Sequence, residues 1–449
     1  MRKLFGTDGI RGRANAEPLT PELTLRFGQA VAGTLARPEL TRPRIVVGRD
    51  TRRSGDLLEG ALIAGICSSG FDVLLVGVLP TPAVALLTRE LNASAGIVIS
   101  ASHNSFEDNG LKVFGGDGFK LADAQEEAIE TAIANDSQAP RPVGSNVGVV
   151  QRVHDAPERY VAHVLKATQG TKSLAGCRVV LDCANGAAYE VAPRALRALG
   201  ATVVTLAVEP DGDNINAKCG AMHPDLLRER VVAEDARLGI ALDGDADRVV
   251  LVDEHGEVVD GDEVLAIIAR DLHAHGGLKG VVGTVMSNMG LELALQQLGV
   301  TLQRAAVGDR YVVEELRKKG LLLGGEPSGH IVFLRYATTG DGLLAALLVA
   351  GLMASSGVPL SELRKAMQRL PQKLINVRVR ERRDLESIAS VRKKLQHVTQ
   401  ALAGRGRILV RYSGTEPLVR VMVEGDDASQ VESYAREIAA VISSELGGD

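Results

Sequence analysis

Three times along this 449-residue chain, short β-branched runs alternate with helical patterns, and the last run of each set breaks into a polar loop containing glycine. Strands and helices alternating in this way require βαβ units, in which strands pair side by side and helices cover the sheet faces. The first set has a strand at Arg44–Val47, the loop GRDTRRSGD, an apolar helix from Leu57, a strand at Val73–Val76, the breaker LPTP and another helix. It closes with AGIVIS, which runs into Ala101-Ser102-His103-Asn104. The second opens with CRVVLD and CANGAA, continues through a helix and ATVVTL, and closes with LGIALD running into Gly244-Asp245-Ala246-Asp247-Arg248. The third opens with KGVVGTV and MSNMG, passes through VTLQRAA, and closes with LLLGG running into Glu326-Pro327-Ser328-Gly329-His330. Ligands of open α/β sheets bind beyond the carboxyl ends of the strands, so three such ends facing one cleft form a composite site. After about Leu370 the pattern changes. A charged alternating run, a helix, RGRILVRYSGTEPLVRVMVEG and a last helix predict a small α+β domain, joined by a linker near Arg369–Lys373.

Composition narrows the function. A net charge of −5 argues against a nucleic-acid binder, which needs a basic face to displace phosphate counterions. Aromatics at 3%, with no Trp, leave few stacking platforms. The basic cluster Arg378, Arg380, Arg382 and Arg383 reads as a solvated strand edge. Cys67, Cys177, Cys183 and Cys219 form no C-x-x-C pair and are expected to be buried reduced thiols of a cytosolic protein. The opening MRKLFGTDGIRGRA has no apolar stretch of the kind a signal peptide needs. Gly342 to Ser361 carries no charge, but its dense apolar part, Leu343 to Ala354, is too short to cross a bilayer and predicts a buried core helix. No membrane partner is expected, and the localisation expected is cytoplasmic.

Asp243, Asp245 and Asp247 form D-G-D-A-D-R, three carboxylates that repel one another unless a cation offsets them. Hard oxygens in this number suit Mg²⁺. An EF-hand is rejected, because Arg248 sits where that loop needs Gly and VVLV makes a strand where loop ligands belong. Ser102, past the strand AGIVIS, can present a hydroxyl and backbone N–H groups to a ligand; otherwise its loop is an Asx-type turn. His103 beside it hints at a Ser–His pair, yet adjacent side chains on extended backbone point apart. Arg411-Tyr412-Ser413-Gly414-Thr415-Glu416-Pro417, followed by Arg420, reads either as a phosphate cradle or as a plain hairpin loop. Gly6 to Gly12 is a second glycine-flanked polar loop, bearing Arg11. Glu326, Ser328 and His330 can hydrogen-bond sugar hydroxyls or an amine, with a satisfied core histidine as the rival reading of His330. No Gly-Lys dipeptide occurs, so there is no Walker A loop.

In order along the chain, GTDGIRG, SASHN…DNGLK, DGDADR, GEPSGH, TTGDG and RYSGTEPLVRV closely resemble the α-D-phosphohexomutases, and within them the bacterial phosphoglucosamine mutases, over essentially the whole length. The resemblance implies an α/β protein of three related α/β units with mixed sheets plus a smaller C-terminal α+β domain around a central cleft. Their expected bounds are 1–153, bearing the phosphoserine loop; 154–254, binding metal; 255–369, recognising sugar; and 370–449, binding phosphate. It implies phosphorylation of Ser102, whose phosphate joins Asp243, Asp245 and Asp247 around one Mg²⁺. Arg248, Arg11 and Lys112 would surround the transferred group. Glu326 and Ser328 would bind sugar hydroxyls; Arg411, Ser413, Gly414, Thr415 and Arg420 would hold the other phosphate. Lys112, His330 and Arg11 are the candidate proton carriers. The implied reaction interconverts glucosamine 6-phosphate and glucosamine 1-phosphate through glucosamine 1,6-bisphosphate, which also serves as activator, and feeds UDP-N-acetylglucosamine synthesis. A homodimer is a family expectation, and a kinase, a bisphosphate sugar or the protein itself would first phosphorylate Ser102. The rival readings are a phosphomannomutase/phosphoglucomutase and a catalytically silent sugar-phosphate binder. Two residues depart from the family pattern: Ser105 stands where Pro is usual, which loosens the loop or adds a competing hydroxyl, and Pro327 stands where Gln is usual.

Overall fold

A computed structural model describes residues 4–6, 8–36, 42–135, 141–168, 173–413 and 417–447. The first sheet contains β1 (Ile10–Arg13), β2 (Arg44–Arg49), β3 (Asp72–Val78), β4 (Ala95–Ile99), β5 (Asp108–Gly115) and β6 (Val150–Arg152), in the order β1-β5-β4-β2-β3-β6. The second contains β7 (Arg178–Asp182), β8 (Thr202–Leu206), β9 (Leu238–Leu242), β10 (Val249–Val252) and β11 (Val258–Val259), in the order β11-β10-β9-β7-β8. The third runs β13-β12-β14-β15, from β12 (Gly280–Thr284), β13 (Thr301–Ala305), β14 (Leu323–Gly325) and β15 (Ile331–Phe333).

The repeat is therefore topological. β2, β7 and β12 each pair in parallel with the next two strands in the chain, and the second of those pairs antiparallel with the strand that follows it. The three polar loops singled out in the sequence occupy one equivalent place, β4 to β5, β9 to β10 and β14 to β15. Residues of β4 and β9 are buried throughout, as parallel strands covered on both faces require.

The helix Gly342–Ser356 is apolar on nearly every side and lies in one hydrophobic core shared by the first three sheets. Asp341 caps its start by accepting from the Leu344 N–H at 2.9 Å, and Gly357 ends it in the left-handed conformation. Among the described residues no single helix is long and apolar enough to cross a membrane. The C-terminal unit has its own core beneath an antiparallel sheet β16-β18-β17, from β16 (Gln372–Arg378), β17 (Gly406–Tyr412) and β18 (Leu418–Gly425). Of the four free cysteines, Cys183 and Cys219 are buried as expected, whereas Cys67 and Cys177 are half-buried because each lies at the edge of its core.

Candidate active site

The carboxylates come together first. Asp243, Asp245 and Asp247 are buried at the turn between β9 and β10, with one oxygen from each lying within 4.8 Å of the others. Burial, then the charges of Asp247 and Asp245, push Asp243 up to about 8. Burial also opposes charge on Asp247, but Lys112, His330 and Arg248 outweigh it and hold that carboxyl well below its usual range. Oδ1 of Asp245 and Oδ1 of Asp247 are buried without a hydrogen-bond partner. Hard, crowded and partly unpartnered oxygens of this kind fit a Mg²⁺ ion, which would take up the charge that now raises Asp243.

Ser102 meets this cluster from the first unit. Its Oγ donates to Asp243 Oδ2 at 2.6 Å, and the side chain is fully buried. Gly244 makes the approach possible, because a Cβ there would overlap the Ser102 carbonyl. The backbone of Ser102 lies in the left-handed region at φ 54, a conformation that a non-glycine residue keeps only when its surroundings hold it there. This corrects the expectation that Ser102 and His103 point apart. The segment is not extended, and His103 Nδ1 lies 3.3 Å from Ser102 Oγ. Burial, with Arg248 and Arg11 nearby, lowers His103 to about 4, so the ring is neutral.

Arg52 holds that backbone, and nothing in the loop GRDTRRSGD singles it out by sequence. Its fully buried guanidinium donates to the carbonyls of Ser102 (3.0 Å), Asn104 (2.9 Å), Asp108 (3.0 Å) and Ser105, and pairs with Asp50 Oδ2 at 2.8 Å. Asn216 of the second unit adds donations to the Ser102 and Asn104 carbonyls at 2.9 Å each. The loop that lacks proline is thus fixed from outside. Ser105 itself is exposed and its hydroxyl donates to Glu107 at 3.0 Å, so it does not compete with Ser102.

The predicted cations surround the carboxylates. Lys112 Nζ lies 2.7 Å from Asp245, 3.3 Å from Asp247 and 3.0 Å from Asp8. Burial opposes its charge, but these three acids outweigh it and raise its pKa well above the usual value. Arg11 pairs with Asp8, and Arg248 Nη1 approaches His103 Nδ1 at 3.2 Å. His330 is buried with Nδ1 3.7 Å from Asp247. The Gly340 N–H donates to its Nε2 at 3.0 Å, and a Cβ on Gly340 would collide with the ring. Burial disfavours a charged imidazole, Asp247, Asp309 and Glu326 favour one, and their balance raises its pKa. The Gly340 contact acts the other way, since it requires a lone pair on Nε2. A ring with Nδ1 protonated toward Asp247 and Nε2 accepting satisfies both neighbours.

A cleft of about 620 Å³ runs past these groups, lined by Arg11, His103, Asp247, Arg248, Glu326 and His330 from the first three units and by Arg411, Ser413 and Arg420 from the fourth. Arg411 and Arg420 are cross-strand neighbours on β17 and β18. Burial and the adjacent Arg420 lower the pKa of Arg411, as expected of two like charges held side by side. Arg382 braces this place by donating to the Ser413 carbonyl at 2.6 Å. Gly414 and Thr415 lie outside the described residues. Glu326 faces the cleft and accepts from the Gly308 N–H at 3.0 Å, and Ser328, two residues on, is exposed to solvent.

Four family profiles match in order: phosphoglucomutase/phosphomannomutase alpha/beta/alpha domain I over residues 2–140, domain II over 158–256, domain III over 260–370 and the C-terminal domain over 374–441. The chain belongs to the phosphoglucomutase/phosphomannomutase family. Within it, the chain is 54% identical to the phosphoglucosamine mutase of Moorella thermoacetica, covering 99% of this chain and 100% of that one. It is 51% identical to the phosphoglucosamine mutase of Syntrophotalea carbinolica, covering 99% and 98%. Solved structures share the fold. A phosphoglucomutase/phosphomannomutase family protein from Burkholderia thailandensis superposes with TM-score 0.81 at 24% identity, covering 98% of this chain and 97% of that one. The N-acetylphosphoglucosamine mutase of Aspergillus fumigatus, in complex with GlcNAc-6P and magnesium, superposes with TM-score 0.64 at 18% identity, covering 98% and 95%.

Proposed function

We propose that this chain interconverts glucosamine 6-phosphate and glucosamine 1-phosphate, with Ser102 as the phosphoryl carrier and glucosamine 1,6-bisphosphate as intermediate. The observation that carries the reading is the contact of Ser102 Oγ with Asp243 inside three crowded carboxylates, beside a cleft that also bears the Arg411–Arg420 pair. Full-length relatives that bear the phosphoglucosamine mutase name support the choice of sugar.

Phosphoryl transfer needs in-line positioning and offset of charge more than covalent help from the protein. Asp243, Asp245, Asp247 and phosphorylated Ser102 would hold one Mg²⁺, which when bound supplies charge neutralisation at the phosphoryl oxygens. To carry a phosphoryl group, the Ser102 hydroxyl leaves Asp243 and turns toward His103 and the cleft. Arg248, Arg11 and Lys112 then present fixed positive charge around the group in transit. The arginine pair on β17 and β18 anchors the phosphate that is not reacting, and Glu326 accepts from a sugar hydroxyl or the amine. The Ser102 Oγ–P bond breaks as the O1–P bond forms. After the bisphosphate turns over, the 6-phosphoryl group returns to Ser102. Arg11 stays charged at any working pH and the acids around Lys112 hold it charged as well, which leaves His330 as the carrier of the sugar hydroxyl proton. The family resemblance adds a cytoplasmic setting, a homodimer and an initiating kinase to the proposal; the chemistry above needs none of them.

The test is direct labelling. Incubation with glucosamine 1,6-bisphosphate and Mg²⁺ should add one phosphoryl group, mapped by peptide mass to Ser102, and Ser102→Ala should take up none. Phosphate found on another residue, or none on the parent chain, sinks the proposal.

A further inference from the structure

Asp8, Lys120 and Asp309 form a buried chain of charge that none of the roles above uses. Lys120 follows β5, where it bridges back to Phe114, and its ammonium sits between Asp8 of the N-terminal loop and Asp309 in the first turn of the helix Asp309–Lys319. Side-chain exposure is only 13% for Lys120, 19% for Asp8 and 12% for Asp309, so the contacts are shielded from salt. Each end leads to a different half of the site. Asp8 contacts Arg11 and Lys112, the two cations that face the metal-type carboxylates. Asp309 sits in the turn whose Gly308 N–H donates to Glu326, the group assigned to the sugar.

We propose, resting on the mutase reading above, that Lys120 is a positioning residue that registers the sugar-holding turn of the third unit against the phosphoryl-transfer cations of the first. It touches neither substrate nor reacting atoms. Without its charge, Asp8 and Asp309 each lose a buried partner, and two units that must hold the reacting phosphoryl group and the sugar of one bisphosphate are free to drift. Misplacement of reacting groups by about 1 Å costs on the order of 100-fold in rate.

The experiment compares the full-length parent with Lys120→Met, Lys120→Arg, Asp309→Asn and Arg317→Gln. Arg317 stacks on Phe119 at 4.1 Å in a cavity that Lys120 and Asp309 also line, but it takes no part in the Asp8–Lys120–Asp309 contacts, and its loss should change little. For Lys120→Met we expect kcat to fall about 100-fold with little change in KM, and turnover to depend on added bisphosphate as the drifting site releases its intermediate. Lys120→Arg should recover most of the loss. Native-state amide exchange reads the same proposal without turnover. Exchange at Gly308 and Gly6 should rise about tenfold in Lys120→Met, and at Gly308 in Asp309→Asn, while the helix-capped Leu344 amide stays protected. Unchanged exchange at Gly308 in both variants, or a Lys120→Met enzyme within about threefold of the parent, overturns the proposal. A parent chain that makes no glucosamine 1-phosphate overturns the mutase reading instead, and the exchange data still test the role of Lys120. If Lys120→Met does not fold, exchange and turnover in Lys120→Arg and Asp309→Asn decide between the two outcomes.

Discussion

Removing Arg52 should unmake the phosphoserine loop while deleting none of the groups assigned to chemistry. The Arg52 guanidinium is fully buried, pairs with the equally buried Asp50, and serves four carbonyls of the loop from Ser102 to Asp108. Arg52→Met keeps the stem but leaves Asp50 charged without its partner, and breaking one side of a buried ion pair costs about 3–5 kcal/mol. For a cooperative unit of about 150–250 residues that loss lowers Tm by roughly 10 °C, at about 2–4 °C per kcal/mol. The deficit should depend on pH. Burial already raises the Asp50 pKa even with Arg52 present, and without Arg52 it rises further. A carboxyl raised in the folded state destabilises above that pKa and is relieved as it takes up a proton, so the Tm gap to the parent should narrow on acidification. Freed carbonyls also release Ser102 from φ 54, so mutase turnover should fall well beyond the stability loss measured at assay temperature. Differential scanning calorimetry at several pH values, with turnover at about 25 °C, reads both effects. A Tm within about 3 °C of the parent and near-normal turnover would refute the claim that Arg52 holds the loop.

Three further outcomes follow from the same geometry. Burial pushes Asp341 up to about 6, so the parent should lose about 2 kcal/mol relative to Asp341→Asn as pH rises from about 4 to about 7, because ionisation in the fold is opposed while the unfolded carboxyl ionises near 4; equal urea midpoints across that range would contradict this. Asp341→Asn retains the oxygen that accepts from Tyr160 and Leu344, which isolates the charge. Gly340→Ala places a methyl 2.5 Å from the His330 ring and should cost about 1–3 kcal/mol by overpacking, together with most of the turnover; a fully active, equally stable variant would show that the ring need not sit there. Asp243→Asn removes one of three repelling carboxylates, so it should raise the Tm of metal-free protein while abolishing the Tm increase that Mg²⁺ gives the parent; a parent insensitive to both EDTA and Mg²⁺ would contradict the metal assignment.

What the sequence exposes and what it hides divide along physical lines. Strand-ending loops with several like residues stand out in the sequence: three carboxylates in five positions point to a cation, while two arginines around a glycine turn fit a phosphate cradle or a plain hairpin loop alike. The apolar run from Leu343 to Ala354 and the break near Leu370 follow from burial patterns alone. An extended backbone would turn His103 away from Ser102, and only the left-handed φ of Ser102, imposed by Arg52 and Asn216 from other loops, brings its ring to the hydroxyl. Arg52, Asp8, Lys120 and Asp309 lie far apart in the chain, and beside the local pairs Arg52–Asp50 and Asp8–Arg11 their contacts reach other loops and another unit. No local period marks them.

The most direct test of the account is ³¹P NMR of the purified protein with Mg²⁺, a trace of glucosamine 1,6-bisphosphate and glucosamine 6-phosphate, repeated with mannose 6-phosphate. Steady growth of a glucosamine 1-phosphate resonance, lost in Ser102→Ala and weaker with the mannose compound, is the predicted result. Absence of any new resonance, or faster conversion of mannose 6-phosphate, would contradict it.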